Sequence, residues 1–123
     1  MKILLTGAAG IVGSLIRPLL SDYYEEVLLT DISPITELYP NESFKKGDIQ
    51  DSKFVDSILS NIDGIVHMAG LVGPEYTFEE VTGPNVIGTQ VIFNSARIHG
   101  IKKIIYASSH HVVGFMERGS HID

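Results

Sequence analysis

Three glycines near the N-terminus have the spacing of a phosphate-binding turn. They are Gly7, Gly10 and Gly13, and they directly follow the apolar segment at residues 3–6. A phosphate group needs backbone that no side chain obstructs and N–H donors that point at it. Glycines provide the open backbone, and a helix N-terminus provides the donors together with a partial positive charge. The spacing therefore predicts a strand, a turn and a helix that bind the pyrophosphate of a dinucleotide.

An acidic residue, Asp31, follows the second apolar segment at residues 26–30. A carboxylate at the end of the second strand can bind both ribose hydroxyls, and it repels the 2′-phosphate of NADP. No Lys or Arg stands next to Asp31 in the sequence, so we predict NAD. The alternative is a tight turn of small residues beside a solvated acid. A P-loop is excluded because no Gly-Lys-Ser/Thr follows the turn.

These residues must be positioned by elements that alternate along the chain. Short apolar segments typical of buried strands alternate with longer segments of helical period. This order predicts one α/β domain over residues 1–123, with a Rossmann-like, doubly wound parallel sheet of about five strands. Pro18 predicts a kink or an early helix end, and Gly83-Pro84 predicts a helix interruption. We expect strands at residues 3–6, 26–30, 43–46, 65–68 and 102–107, and helices at 11–21, 51–60, 75–80 and 85–99.

Composition excludes several classes of protein. The net charge of −6 leaves no basic stripe for nucleic acid. The chain has no cysteine, so neither a disulfide framework nor a cysteine zinc site is expected. No apolar stretch approaches the ~20 residues that span a bilayer, and no signal segment is recognisable. We expect a cytoplasmic protein that does not enter membranes.

Several motifs, in the right order, resemble the extended short-chain dehydrogenases/reductases, which include NAD-dependent sugar epimerases and dehydratases. The glycine turn is the first, and the others lie at residues 47–49, 67–70, 85–89 and 106–109. The resemblance implies that Asp48 contacts adenine and that the end of the fifth strand carries an active-site serine, Ser109. Together with the turn, it implies cofactor contacts at Gly7, Ala9, Gly10, Ile11, Val12, Gly13, Asp31, Asp48, Ile49, Met68, Ala69, Gly70, Asn85 and Ser108.

Segments 31–34, 63–67 and 108–115 resemble the uronate dehydrogenases within that family, which oxidise a hexuronic acid at C1 to a lactone with NAD. This resemblance implies that Ser109, His110 and His111 contact the substrate, with His111 preferred for its carboxylate. His110 stands where that group has Asn, and residues 71–73 offer no hydroxyl. A nucleotide-sugar epimerase or dehydratase, or a non-catalytic dinucleotide-binding remnant, therefore remains an alternative. A metal site is not expected, because three or four ligands do not converge.

The general base of this family is missing from the sequence. The family uses a tyrosine whose pKa is lowered by a lysine four residues later, because an unaided phenol titrates too high. None of the five tyrosines has Lys at that spacing. We therefore expect the chain to be the cofactor-binding part of a longer enzyme, truncated before the substrate part. We expect it to bind NAD weakly and to convert no substrate. The helix at residues 85–99 has apolar residues on more than one face, which predicts a homodimer contact.

Overall fold

The computed structural model describes residues 1–109. It contains one five-stranded parallel sheet with the strand order β3-β2-β1-β4-β5. This confirms the predicted α/β class and the Rossmann-like order. The elements are β1 Lys2–Thr6, α1 Ile11–Tyr23, β2 Glu26–Asp31, β3 Glu42–Lys46, α2 Ser52–Ile58, β4 Gly64–His67, α3 Phe78–Val81, a π-helix Thr82–Gly88, α4 Thr89–Ile98 and β5 Lys103–Tyr106.

Successive residues of the central strands face two different cores. Leu4 of β1 belongs to a cluster with Val55 of α2 and Ile92 of α4. Its neighbour Leu5 belongs to a second cluster, against which Leu20 of α1 packs. Side chains alternate across a strand, so helices cover both faces of β1. This explains why the central strands read as continuous apolar runs.

The strand order places a crevice at one edge of the sheet. β1 pairs with β2 on one side and with β4 on the other. The chain therefore leaves β1 in one direction and later crosses back to the other side. In open parallel sheets a crevice forms at this switch point, outside the carboxyl ends of the strands. The glycine turn follows β1 and lies at that crevice.

The α-helix is interrupted at Gly83-Pro84, as predicted, but by a π-helix and not by a loop. The chain continues from α3 through the π-helix into α4 without leaving the helical path. Pro84 has no N–H to give to an α-helical bond, and it lies within the segment where the chain takes the wider π-helical path. Likewise α1 passes Pro18 and ends only at Tyr23, which is later than predicted.

A partly buried ion pair joins α1 to the start of β3. Arg17 Nη2 lies 2.5 Å from Glu42 Oε2, and the Glu42 side chain is fully buried. Burial alone would raise the pKa of Glu42, but hydrogen bonds from Arg17, the Tyr39 N–H and Ser21 lower it overall. The Arg17 guanidinium also donates to the Glu37 carbonyl at 2.8 Å. These contacts hold the segment that follows Asp31.

Candidate functional site

A cleft of about 470 Å³ opens at the carboxyl ends of the strands. Its walls are the glycine turn, the end of β2, the turn after β3 and the segment after β4. Gln50, Leu71, Glu80 and Pro84, which were not predicted as cofactor contacts, also line it. Nine predicted cofactor residues line the cleft: Gly7, Ala9, Gly10, Asp31, Asp48, Ile49, Met68, Ala69 and Gly70.

The glycine turn is packed so closely that two of its positions exclude a side chain. Gly7 has a φ of +69°, and a Cβ there would lie 2.6 Å from the backbone nitrogen of Ala69. A Cβ on Gly13 would overlap the carbonyl oxygen of Gly7. Gly7 therefore allows the turn to touch the segment after β4, and Gly13 allows α1 to start against the turn.

The first turn of α1 is exposed at the edge of the cleft. Ile11 and Val12 have 83% and 55% of their surface exposed, so their side chains are not what fixes this turn. Gly10 is the N-cap residue and makes no side-chain cap hydrogen bond. The first N–H groups of a helix have no partner within the helix. This end of α1 can therefore offer several backbone donors to an anion.

Asp31 joins the end of β2 to the glycine turn. Its carboxylate accepts hydrogen bonds from the Ala9 N–H at 3.0 Å and from the Ser33 N–H at 2.9 Å. Each carboxylate oxygen has a further lone pair, so the group can also accept from hydroxyls of a ligand. Lys46 lies opposite Asp31 in the register of β2 and β3, a neighbour that reading along the chain did not reveal.

The turn after β3 places Asp48 and Ile49 at the far end of the cleft. Asp48 is exposed, and its Oδ1 accepts the Gln50 N–H at 2.9 Å. Ile49 is buried and belongs to the core on the side of α2 and α4. Asp48 therefore presents an acceptor to the cleft from a turn that Ile49 anchors.

His67, the last residue of β4, forms a buried junction between four elements. Its Nδ1 lies 2.6 Å from Thr6 Oγ1, and its Nε2 lies 3.1 Å from Thr89 Oγ1. The ring also stacks on Tyr106 of β5 with a centroid distance of 5.5 Å. Burial lowers the pKa of His67 to about 4, so the ring is neutral near pH 7. It connects β1, β4, α4 and β5 directly beneath the cleft.

Asn85, a predicted cofactor contact, makes its side-chain hydrogen bonds to the segment after β4. Its amide nitrogen donates to the Leu71 carbonyl at 2.8 Å, and its amide oxygen accepts the Leu71 N–H at 2.7 Å. Asn85 is not among the residues that line the cleft. Its two hydrogen bonds hold Leu71, which does line the cleft.

The predicted serines lie beyond β5, at the same edge of the sheet. Ser108 and Ser109 are both exposed, and neither lines the cleft. Because β5 pairs with β4 and Tyr106 pairs with His67, the serines follow the sheet on the side away from Asp31. The predicted substrate residues His110 and His111 lie outside the described residues.

Two further properties concern residues 1–109. Within them, no three His, Asp or Glu side chains converge in a way that could hold a metal ion. None of the helices in this part of the chain is both long and apolar enough to cross a membrane.

Comparison with family models decides the family. The model of the 3-beta hydroxysteroid dehydrogenase/isomerase family matches residues 4–123, which is nearly the whole chain. The chain belongs to this family. The match confirms the predicted resemblance to the short-chain-dehydrogenase-like oxidoreductases.

Individual relatives share the same segment. A uronate dehydrogenase from Pseudomonas putida is 41% identical over 123 residues, which cover 99% of this chain and 46% of the relative. A uronate dehydrogenase from Pseudomonas syringae is 37% identical and is covered over 44% of its length. The chain therefore spans less than half the length of these relatives.

Solved structures show the same fold. The glucuronic acid dehydrogenase from Chromohalobacter salexigens superposes with a TM-score of 0.87 at 36% identity, covering 98% of this chain and 45% of that chain. A mutant of the uronate dehydrogenase from Agrobacterium tumefaciens, complexed with NAD, gives a TM-score of 0.82 at 37% identity. It covers 89% of this chain and 41% of that chain.

Proposed function

We propose that this chain binds NAD in the cleft and supplies the cofactor-binding part of a dehydrogenase. The dehydrogenase oxidises a sugar acid, a hexuronate, at C1 to a lactone. The observation that carries the proposal is the Asp31 carboxylate at the end of β2, hydrogen-bonded to the glycine turn at Ala9. That arrangement puts an acceptor for the ribose hydroxyls beside the turn that would bind the pyrophosphate.

The residues of the cleft fit a dinucleotide. Added Cβ atoms at Gly7 or Gly13 would strike neighbouring backbone, so only glycine permits the tight strand-turn-helix geometry that a pyrophosphate site requires. The N-terminus of α1 supplies donors and partial positive charge. Asp31 favours a ribose with free hydroxyls over one with a 2′-phosphate. We therefore propose NAD over NADP.

The sugar-acid substrate is supported by the relatives, several of which are uronate or glucuronic acid dehydrogenases. NAD, when bound, supplies the hydride acceptor. We propose that Ser109 donates a hydrogen bond to the substrate oxygen that loses its proton, and that Ser108 faces the cofactor. His110 and His111 are proposed substrate contacts, with His111 at the carboxylate. The family's tyrosine base does not occur at its required spacing in this sequence.

A nucleotide-sugar epimerase or dehydratase is the second candidate. Leu71 lines the cleft, and residues 71–73 carry no hydroxyl where the uronate dehydrogenase resemblance leads us to expect a serine. An epimerase returns the hydride to its substrate and accumulates no NADH. A non-catalytic dinucleotide-binding remnant would bind NAD and accumulate none with any sugar.

The test is an assay of the protein at the full length that its gene encodes. We expect NADH absorbance to appear with NAD and glucuronate or galacturonate, and not with UDP-glucose. The 123-residue chain alone is the matched control, and it should form no NADH because it lacks the tyrosine and lysine pair. Conversion of UDP-glucose without net NADH would replace the dehydrogenase with the epimerase. NADH formation by the 123-residue chain would contradict our account of the base.

We also propose that the protein forms a homodimer through the helix at residues 85–99 and works in the cytoplasm. Val86, Ile87, Phe93 and Ile98 are 58%, 46%, 43% and 69% exposed, and such apolar surface is typical of an interface. Sedimentation velocity should show a dimer that Phe93→Glu converts to a monomer. A monomeric wild type would contradict the dimer.

The proposed cytoplasmic location has a separate test. Recovery of the protein in a membrane fraction would contradict it.

A further inference from the structure

The far end of the cleft contains a side chain that neither the sequence motifs nor the proposed function uses. Gln50 lines the cleft beside Asp48. Its backbone N–H donates to Asp48 Oδ1 at 2.9 Å, and its amide nitrogen lies 3.3 Å from Oδ1 and 3.1 Å from Oδ2. One residue thus contacts both oxygens of the same carboxylate. Its side chain therefore affects how that carboxylate is oriented.

The other end of the Gln50 amide is confined as well. A Cβ on Gly83, in the π-helix, would lie 2.5 Å from Gln50 Oε1 and 3.1 Å from its amide carbon. The glutamine therefore spans the gap between the turn after β3 and the π-helix. A side chain at residue 83 would therefore displace this amide from its present position. Pro84, the next residue of the π-helix, lines the cleft itself.

The position of Asp48 indicates which part of a dinucleotide it meets. The glycine turn follows β1, Asp31 ends β2, and Asp48 follows β3, so the three lie in order along one edge of the sheet. Neighbouring strands are about 4.8 Å apart, which places Asp48 about 10 Å from the turn. If the pyrophosphate is at the turn and the ribose at Asp31, the base lies at Asp48.

We propose that Gln50 is a positioning residue that makes this pocket specific for adenine. The inference rests on the proposed binding of NAD. A carboxylate only accepts hydrogen bonds, so an oriented Asp48 selects a base that donates from its six-position. Adenine carries an amino donor there, whereas a base with a carbonyl at that position presents an acceptor. Gln50 fixes the carboxylate for this choice and leaves one of its oxygens with capacity for the base.

The experiment compares NAD with its deaminated analogue, nicotinamide hypoxanthine dinucleotide, by calorimetric titration of the 123-residue chain. We expect wild type to bind NAD about tenfold more tightly than the analogue. Gln50→Leu should weaken NAD binding and bring the two affinities within about twofold, with the analogue unchanged. Gln90→Leu, at an exposed position on α4, is the matched control and should keep the wild-type ratio.

Gly83→Ala provides an independent route to the same result. It displaces the Gln50 amide without altering residue 50. The φ of residue 83 is not in the left-handed region, so alanine can adopt it. It should therefore reduce the preference for NAD in the same direction, with folding checked by circular dichroism. If NAD binds but Gln50→Leu and Gly83→Ala keep the wild-type ratio, the inference is wrong and the proposed function stands. If wild type binds neither dinucleotide, both are overturned.

Discussion

The ends of β2 and β5 lie at the same edge of one sheet but differ in how their residues are held. Asp31, at the end of β2, accepts hydrogen bonds from two backbone N–H groups and lines the cleft. At the end of β5, Ile105 and Tyr106 are 63% and 43% exposed. Ser108 and Ser109 beyond them are exposed and do not line the cleft.

This difference separates two tasks of the proposed enzyme. The residues on the side near β2 hydrogen-bond to one another, so we expect this side to bind the dinucleotide with what residues 1–109 provide. The side near β5 presents its serines at an exposed strand end. Cofactor binding is therefore the property of this chain that mutations should change most sharply.

The largest expected effect is that of Gly7→Ala, which would break the side near β2. The substitution puts a Cβ 2.6 Å from the Ala69 nitrogen at a φ of +69°. The backbone must then move, and we expect a loss of about 3 kcal/mol of unfolding free energy together with undetectable NAD binding. Urea unfolding and calorimetry measure the two.

Gly100→Ala is the matched control for that substitution. Gly100 has nearly the same φ, +71°, but nothing lies within 4 Å of an added Cβ. We expect it to cost only about 1 kcal/mol and to leave NAD affinity unchanged. Equal losses of unfolding free energy and NAD affinity at the two positions would show that the left-handed backbone conformation alone requires glycine at position 7. Close packing of the turn would then not be the reason.

His67 lies between the two sides, and its titration sharpens the comparison. Its pKa is about 4 when folded and 6.5 when exposed. As the pH falls, the unfolded chain takes up this proton before the folded chain does. The contribution of the neutral ring to the free energy of unfolding is therefore complete above pH 6.5 and falls as the pH drops towards 4. The change amounts to about 3 kcal/mol. Urea unfolding between pH 7 and pH 5 should show the fall, and His67→Gln should flatten it. An identical slope in the variant would exclude His67 as the cause.

The smallest expected effect concerns the ion pair between Arg17 and Glu42. Glu42→Gln removes the charge that faces Arg17 in a buried site, and it should cost about 2 kcal/mol. The comparison variant is Glu26→Gln, whose partner Lys2 forms a pair with 63% of the glutamate side chain exposed. It should cost less than about 0.5 kcal/mol. Similar losses in urea unfolding would mean that burial of the Arg17 pair contributes nothing.

The sequence predicted the features that depend on short stretches of chain. The glycine turn, the acid at the end of β2 and the alternation of strands and helices are local patterns, and the structure contains all of them. Contacts between distant segments were not predictable in the same way. Gln50 meets Gly83, and His67 meets Thr89, only because the π-helix and α4 pack over the sheet.

Asn85 illustrates the same limit of prediction from sequence. The family motif implied a cofactor contact, but it did not indicate that the amide bonds to both backbone groups of Leu71. Side-chain direction at that position depends on the π-helix that precedes α4. No local pattern in the sequence indicated a π-helix, and Gly83-Pro84 predicted a break instead.

The most direct test of the account is a calorimetric titration of the 123-residue chain with NAD and with NADP. We expect NAD to bind at least about tenfold more tightly, because the Asp31 carboxylate accepts ribose hydroxyls and repels a 2′-phosphate. Asp31→Ser should remove this preference, whereas Asp22→Ser, at an exposed position on α1, should keep it. Tighter binding of NADP by wild type would show that Lys46, opposite Asp31 in the sheet, outweighs the carboxylate. That result would contradict the account.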